Sequence, residues 1–248
     1  MTQYRAPYTY PQGSDPNMVK SALIVGAGRG ISASFARLLA REGCKVVLAA
    51  RATPKLADLE KEIGASALAC DATEPDQVAA LFDSVVREIG VPDVVLYNAS
   101  ARARGPLVDL KPAEVENALR VSAYGGFLVG QQAAKRMLPR GSGAIFFTGA
   151  SASVKGYAQS APFAMGKFAL RGLAQSMARE LQPKGIHVAH FVIDGGVRNP
   201  ATGRVEAADA PDSFLDPDAI AQTYLAVLQQ PRSAWSLEVE LRPWVERF

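Results

Sequence analysis

A short apolar strand that leads directly into a cluster of glycines is the feature that most constrains this chain. The run Ala22–Val25 is followed at once by Gly26, Gly28 and Gly30, and an amphipathic helix comes next. Glycine lets the backbone approach a ligand closely and adopt positive φ, and a helix N-terminus favours a bound anion. With the strand and helix in place, this turn predicts a nucleotide phosphate site rather than a plain connector.

Strands and helices alternate along the rest of the chain. Apolar runs predict further strands near residues 45–49, 65–69, 93–97, 144–148, 186–193 and 237–241. Alternation of this kind is typical of a mostly parallel sheet with helices on both faces. No linker divides the pattern, so we expect an α/β fold with one doubly wound domain over residues 20–248, a seven-stranded sheet, and a polar, extended tail over residues 1–19.

Two segments stand out from this pattern. The periodicity predicts one long helix from about Pro112 to Leu138, loosened near the pair Gly125-Gly126. Residues 195–212 have no periodicity and carry small and charged side chains, so we expect a mobile loop there.

Composition excludes several classes of function. The 27 basic and 24 acidic residues give a net charge of only +3, without a basic run, which argues against nucleic acid as a partner. No apolar run reaches about 18 residues, so we expect no membrane span. Cys44 and Cys70 lack metal-ligand spacing and are predicted to be buried thiols. Because His187 and His190 lie in an apolar strand, no metal site is expected. These features favour a cytoplasmic protein with a small-molecule substrate.

Motifs in the right order make the chain resemble the short-chain dehydrogenase/reductase family over roughly residues 20–245. The glycine turn is similar to the family's TGxxxGxG sequence, and Asn98-Ala99 to its NAG motif. Phe163–Lys167 resembles its YxxxK segment, and Asp194–Pro200 the loop after its sixth strand. The resemblance implies a Rossmann-type domain, a nicotinamide cofactor, and oxidoreductase activity on a small carbonyl or alcohol.

The cofactor-binding residues follow from the strand ends and from this resemblance. The second strand ends in Ala50-Arg51 without the acid that holds an NAD ribose, and Arg29 lies in the glycine turn. Two guanidinium groups can bracket a 2′-phosphate, which favours NADP(H) over NAD(H). The alternative is that both are ordinary surface arginines. The residues expected at the cofactor are Gly26, Gly28, Arg29, Gly30, Ile31, Arg51, Asp71, Ala72, Asn98, Ala99, Lys167, Gly195 and Val197.

Most of the family's catalytic groups are replaced in this chain. Matched by spacing, Phe163 stands at the family's tyrosine, Ala150 at its serine and Ser122 at its asparagine, and only Lys167 is retained. Phenylalanine cannot give a proton to an alkoxide, and alanine cannot donate a hydrogen bond to a carbonyl. Loss of general acid catalysis costs about 10²–10⁴ in rate.

Two functions therefore remain open. The first is an oxidoreductase with a rearranged proton donor, in which Lys167, Ser151 and Tyr157 are the catalytic candidates and Tyr97 and Ser100 are further hydroxyls near strand ends. The second is a cofactor-binding protein without redox turnover, such as a sensor or an assembly subunit. Tyr157 also fits a packed loop aromatic.

Apolar residues lead to two last expectations. Four aromatic residues, some of them also core candidates, suggest a pocket for an uncharged small molecule: Phe146, Phe147, Phe163 and Phe168. The helices near 112–138 and 163–181 and the segment Leu237–Phe248 carry more apolar surface than the sheet can cover. We therefore expect a homodimer or homotetramer.

Overall fold

A single seven-stranded parallel sheet forms the centre of the computed structural model, which describes residues 19–246. The strands are β1 (Ser21–Val25), β2 (Lys45–Ala50), β3 (Ser66–Ala69), β4 (Val94–Tyr97), β5 (Gly143–Thr148), β6 (Ile186–Ile193) and β7 (Glu238–Leu241). Their order is β3-β2-β1-β4-β5-β6-β7, and every neighbouring pair is parallel. The predicted doubly wound α/β sheet is confirmed.

Helices cover both faces of this sheet. They are α1 (Ile31–Arg41), α2 (Ala57–Ile63), α3 (Pro75–Ile89), α4 (Pro112–Leu119), α5 (Gly125–Met137), α6 (Ala161–Leu181) and α7 (Pro217–Leu228). One apolar core lies under α1, α2 and α7, and the other under α3, α5 and α6. Successive strand residues point to opposite faces, so Phe146 belongs to the first core and its neighbour Phe147 to the second.

The predicted loosening of the long helix lies immediately before the glycine pair. A π-helical turn, Arg120–Tyr124, separates α4 from α5 and precedes Gly125. The Tyr97 hydroxyl donates a hydrogen bond to the Val121 carbonyl within this turn. A Cβ atom at Gly125 would overlap that hydroxyl. The glycine therefore permits close packing on β4, and it is not the point where the helix loosens.

The remaining expectations concern the ends, the loop after β6 and the cysteines. The predicted tail lies outside the described residues except for Val19, which packs against the core, and Phe248 also lies outside them. The loop after β6 is tied by two short bridges, Val197–Leu215 and Asn199–Arg204, and its mobility stays a prediction. Burial raises the pKa of the predicted buried thiols to about 12 for Cys44 and about 11 for Cys70. Within residues 19–246, no helix is long and apolar enough to cross a bilayer.

Candidate active site

Three adjoining cavities form a groove along the carboxyl ends of the strands, which is where open parallel sheets bind ligands. The nucleotide cavity, about 700 Å³, lies against the glycine turn and the ends of β2 and β4. The central cavity, about 300 Å³, lies between the end of β5 and α6. The outer cavity, about 600 Å³, continues to Tyr157 and Glu246. Arg29 and Asn98 line the first two cavities, and Phe163 and Arg102 line the last two.

The glycine turn brings bare backbone to the nucleotide cavity. Gly26 has a φ of +79°, and a Cβ atom there would overlap the backbone of Ala99. Asn98 Nδ2 donates to the Gly26 carbonyl at 3.3 Å, which joins the end of β4 to the turn. Helix α1 begins after Gly30, and no side chain caps its N-terminus. The first-turn N–H groups of α1 therefore have no side-chain acceptor, as an anion site requires.

Three cations line the nucleotide cavity near the end of β2: Arg29, Arg51 and Lys55. In the described part of the chain, none of them lies within ion-pair distance of an acid. Sequence reasoning missed Lys55. The sequence feature that could have indicated Lys55 is its position four residues after Arg51. The structure places it in the short 3₁₀ turn Thr53–Leu56, between β2 and α2.

Asp71 follows β3 and also lines the nucleotide cavity. Its Oδ1 accepts hydrogen bonds from the Thr73 N–H and hydroxyl, both at 2.9 Å. Burial alone would raise the pKa of this carboxyl, but the two hydrogen bonds and the nearby Arg51 and Arg120 bring the pKa below its usual value. Asp71 is therefore a fixed carboxylate at the far end of the groove.

Lys167 is the buried cation of the central cavity. Its side chain is 2% exposed, and Nζ donates to the Thr148 carbonyl at 2.7 Å. Burial, together with the positive charge of Arg102, lowers the pKa of Lys167 to about 7. An amine with this pKa is partly protonated and partly neutral near pH 7.

The positions of the lost catalytic hydroxyls lie beside Lys167. Phe163 and Ala150 line both the central and outer cavities and pack together in a small apolar cluster with Ala152. Ser122 lines none of the three cavities, and its Oγ lies 3.3 Å from the Ala101 nitrogen. The wall that would hold a tyrosine and a serine hydroxyl is therefore apolar.

Comparison with known proteins identifies the family. The model of the short chain dehydrogenase family matches residues 20–209. The chain belongs to this family. A versicolorin reductase of Emericella nidulans is 34% identical over 185 residues, which are 72% of this chain and 69% of that protein.

Solved structures of the short-chain dehydrogenase family resemble this chain over nearly its whole length. One from Rhodopseudomonas palustris is 36% identical, with a TM-score of 0.78, and the match covers 93% of this chain and 100% of that one. A metagenomic short-chain oxidoreductase in complex with NADP is 29% identical, with a TM-score of 0.79 and the same coverage.

All the residues expected at the cofactor line the nucleotide or the central cavity of this short-chain dehydrogenase. Gly30, Ile31, Lys167, Gly195 and Val197 line the central cavity. The others line the nucleotide cavity, including Ala72 and Ala99, and Arg29 and Asn98 line both. The fold thus brings residues from six separate segments to one groove.

The candidate proton donors are divided between the cavities. Ser151 and Tyr157 line the outer cavity, whereas Lys167 lines the central one. Ser100 lines the nucleotide and central cavities. The expectation for Tyr97 is wrong, because its side chain is fully buried in the core, bonded to the Val121 carbonyl, and burial raises its pKa.

The four aromatic residues do not form a shared pocket, and two of them are the core residues that the sequence also allowed. Phe146 and Phe147 are fully buried in the two cores, and Phe168 is exposed on α6, so only Phe163 of the four aromatic residues lines the groove. Apolar periodicity marks core positions at least as often as pocket positions, which explains this outcome. Instead, arginines missed at the sequence level line the central and outer cavities: Arg102, Arg104 and Arg204.

Proposed function

We propose that this chain is an NADP(H)-dependent oxidoreductase that acts on a small carbonyl or alcohol with a rearranged proton donor. The observation that carries the proposal is the continuous groove. The residues expected at the cofactor line one end, the buried Lys167 lies in the middle, and a separate cavity of about 600 Å³ lies beyond it. A protein that only bound a nucleotide would not need that outer cavity.

The donor set of the nucleotide cavity fits NADP(H). Arg29, Arg51 and Lys55 would hold the 2′-phosphate, since a planar guanidinium and an ammonium both suit phosphate oxygens. By family resemblance, Asp71 would contact the adenine and Lys167 the nicotinamide ribose. NADP(H), when bound, supplies or accepts the hydride. The chain's own residues bind and orient the cofactor and must supply a proton to the reacting oxygen.

Proton transfer to the reacting oxygen is the step at which this chain departs from its family. Phe163 and Ala150 offer none, so a hydroxyl of the adjoining outer cavity must reach the reacting oxygen. Tyr157 is our proposed donor, with Ser151 as the second candidate. Lys167, with a pKa of about 7, would stabilise the developing negative charge.

A second function is favoured by one observation. The Arg102 guanidinium carbon lies 4.0 Å from the centroid of the Phe163 ring, so a cation covers the position at which a tyrosine would act. A cofactor-binding protein without turnover would keep the nucleotide cavity and tolerate this change. The absence of any cofactor consumption would favour this reading.

Cofactor preference is tested by titrating the protein with NADPH and NADH and following cofactor fluorescence. We expect tighter NADPH binding, and we expect Arg51→Asp to weaken it about 10–100-fold, because a charged hydrogen bond contributes about 1.5–3 kcal/mol. NADH binding should change little. Arg41→Asp, at the far end of α1, is the matched charge control. Equal or tighter NADH binding by the unmodified protein would contradict the proposal.

Turnover is tested by cofactor consumption over a panel of aldehydes, ketones, alcohols and imines. Lys167→Ala should weaken cofactor binding. Tyr157→Phe should abolish the activity and leave cofactor binding intact. Ser151→Ala should retain the activity. Robust reduction of simple ketones that survives both hydroxyl variants would show that the donor is misassigned. Tight NADPH binding without consumption of any panel member would select the second function.

A further inference from the structure

Three arginines from two distant segments converge on the substrate end of the groove. Arg102 and Arg204 line both the central and outer cavities, and Arg104 lines the outer cavity. The first two in sequence follow β4, and Arg204 belongs to the loop after β6. The three are called the arginine triad below.

The backbone near the triad is held in place. Asn199 and Arg204 exchange two backbone hydrogen bonds, of 2.9 and 3.1 Å, in a short antiparallel bridge. The Gly105 N–H, next to Arg104, donates to the Gln159 carbonyl at 3.1 Å. The Arg102 guanidinium lies over the face of the Phe163 ring, a cation–π contact that orients it over the cavity wall. The hydrogen bonds fix the backbone beside Arg104 and at Arg204, and the ring contact fixes the side chain of Arg102.

In the part of the chain that the structure describes, no residue of the triad forms an ion pair with an acid. The acids of the outer cavity are Asp194 and Glu246. Asp194 is already paired with Lys155 at 3.4 Å and with Arg242 at 3.2 Å. Among residues 19–246, no ion pair joins the triad to either acid. Because Asp194 is paired with other cations, three arginines face one remaining acid, Glu246, and the cavity has a net positive charge.

The pKa of Arg102 reflects partial burial and the positive charges around it. Burial, with further contributions from Arg104 and Arg204, lowers the pKa of its guanidinium from the usual value. The side chains of all three arginines are exposed, so solvent screens part of their mutual repulsion, and a bound anion would relieve the rest.

We propose that the substrate carries an anionic oxygen group, a carboxylate or a phosphate, which the arginine triad binds in the outer cavity while the reacting carbonyl or alcohol carbon lies in the central cavity. The proposal rests on the oxidoreductase function above and narrows it to a substrate class. Guanidinium groups bind both anions through paired hydrogen bonds. Such an anchor fixes which end of the substrate faces Lys167.

Binding is tested first, independently of turnover. The protein is saturated with NADP⁺, and malonate or inorganic phosphate is titrated at constant ionic strength by calorimetry. We expect binding of at least one of them, weakened about 10–100-fold in Arg204→Gln and in Arg102→Gln, because each charged hydrogen bond lost costs about 1.5–3 kcal/mol. Arg179→Gln removes one charge on α6, outside all three cavities, and should bind like the parent. Tighter binding of malonate assigns a carboxylate, and tighter binding of phosphate assigns a phosphate.

Turnover of matched pairs then separates this proposal from the general one. The pairs are 2-keto acids with their methyl esters, and phosphorylated ketones with their free alcohols. We expect kcat/KM to be at least tenfold higher for the charged member, with the loss in Arg204→Gln appearing mainly in KM. Equal or faster turnover of the uncharged members would overturn the anionic substrate and leave the oxidoreductase intact.

Two further outcomes complete the test. If neither malonate nor phosphate binds, or if both bind the parent and the triad variants equally, the triad is not an anion site. If the anions bind through the triad but no compound in either series consumes cofactor, the anion site stands and the oxidoreductase proposal fails.

Discussion

Phe163 and Ala150 face the same cavity as Lys167, so two substitutions remove a proton donor and a hydrogen-bond donor from one wall. Both side chains are almost completely buried, and they contact each other in a local apolar cluster. The surrounding framework, with Lys167 bonded to the end of β5, is unaffected by their chemistry. We therefore expect cofactor binding and proton transfer to be separable at these two positions.

Restoring the two hydroxyls should create carbonyl reduction. Phe163→Tyr with Ala150→Ser places a phenol and a hydroxyl on the wall beside Lys167, whose charge lowers a phenol pKa. We expect simple ketones to be reduced about 10²–10⁴ times faster than by the parent, as for recovery of a general acid. The measurement is initial NADPH consumption, with NADPH affinity determined in parallel.

Control variants test whether the gain in rate depends on these two positions. Phe168→Tyr adds the same hydroxyl to an exposed residue of α6 that lines no cavity, and it should leave the rate unchanged. Each single variant should gain less than the pair. No gain by a folded, NADPH-binding double variant would show that the backbone at these two positions is not arranged as in the family.

The sequence was enough to place the residues expected at the cofactor along one edge of the sheet, whereas Lys55 and the arginine triad were missed. Gly26, Asn98 and Lys167 belong to motifs at strand ends, and parallel strands bring their carboxyl ends to one edge. Arg204 and Lys55 come from loops that only the folded chain brings against the groove. Their charges looked like ordinary surface charges because sequence gives no pairing partner for a loop residue.

At the scale of elements, the pairing of β6 with β7 places a histidine in the core beside a carboxylate. His190 is fully buried, and its Nδ1 lies 3.2 Å from Glu238 Oε2. Glu238 also accepts two hydrogen bonds from Arg171, at 2.7 and 2.8 Å. Burial lowers the pKa of His190 to about 4 despite the carboxylate, and the charges of Lys167 and Arg171 act in the same direction as burial. His190 is therefore neutral in the folded protein near pH 7.

This depressed pKa makes stability depend on pH. Between about pH 6.5 and 4 the unfolded chain binds a proton at His190 before the folded chain does, so the free energy of unfolding should fall as pH falls through that window. His190→Gln should reduce the dependence of the free energy of unfolding on pH by an amount that corresponds to at most one bound proton. Urea unfolding at a series of pH values measures it.

The slope, rather than stability at one pH, is the diagnostic quantity. Val192→Ala, on the same strand, should lower stability at every pH and leave the slope unchanged, because it removes packing without a titrating group. An unchanged slope in His190→Gln would show that His190 does not titrate differently in the two states.

The strands lie within about one residue of their predicted boundaries where they are fully buried. Strand β6 begins and ends as predicted, since all eight residues from Ile186 to Ile193 are buried and apolar runs report burial directly. The predicted loosening near Gly125 is present, but its form, a π-helical turn in which the Val121 carbonyl accepts a hydrogen bond from the Tyr97 hydroxyl, was not predictable. That contact joins residues 24 positions apart, beyond the reach of helical periodicity.

At the scale of the whole molecule, helices α5 and α6, which pack on one face of the sheet, expose large apolar side chains. Phe127 on α5 and Met165 and Phe168 on α6 are 41%, 49% and 44% exposed, and Tyr124 stacks on Phe127 with ring centroids 6.2 Å apart. Exposed aromatic residues clustered on neighbouring elements are typical of interfaces. The oligomer expected from the sequence stays a prediction, and these side chains are where we expect its interface.

We therefore expect a homodimer or homotetramer that buries this helical face. An interface between two copies must bury at least about 1,200 Å² to be stable, and the aromatic residues of α5 and α6 are its natural centre. A charge buried there without a partner is costly, so Phe127→Asp and Phe168→Asp should each shift the protein towards the monomer in multi-angle light scattering at micromolar concentration. Val205→Asp, on the exposed loop after β6, should not. A parent protein that is already monomeric at that concentration would refute the expectation.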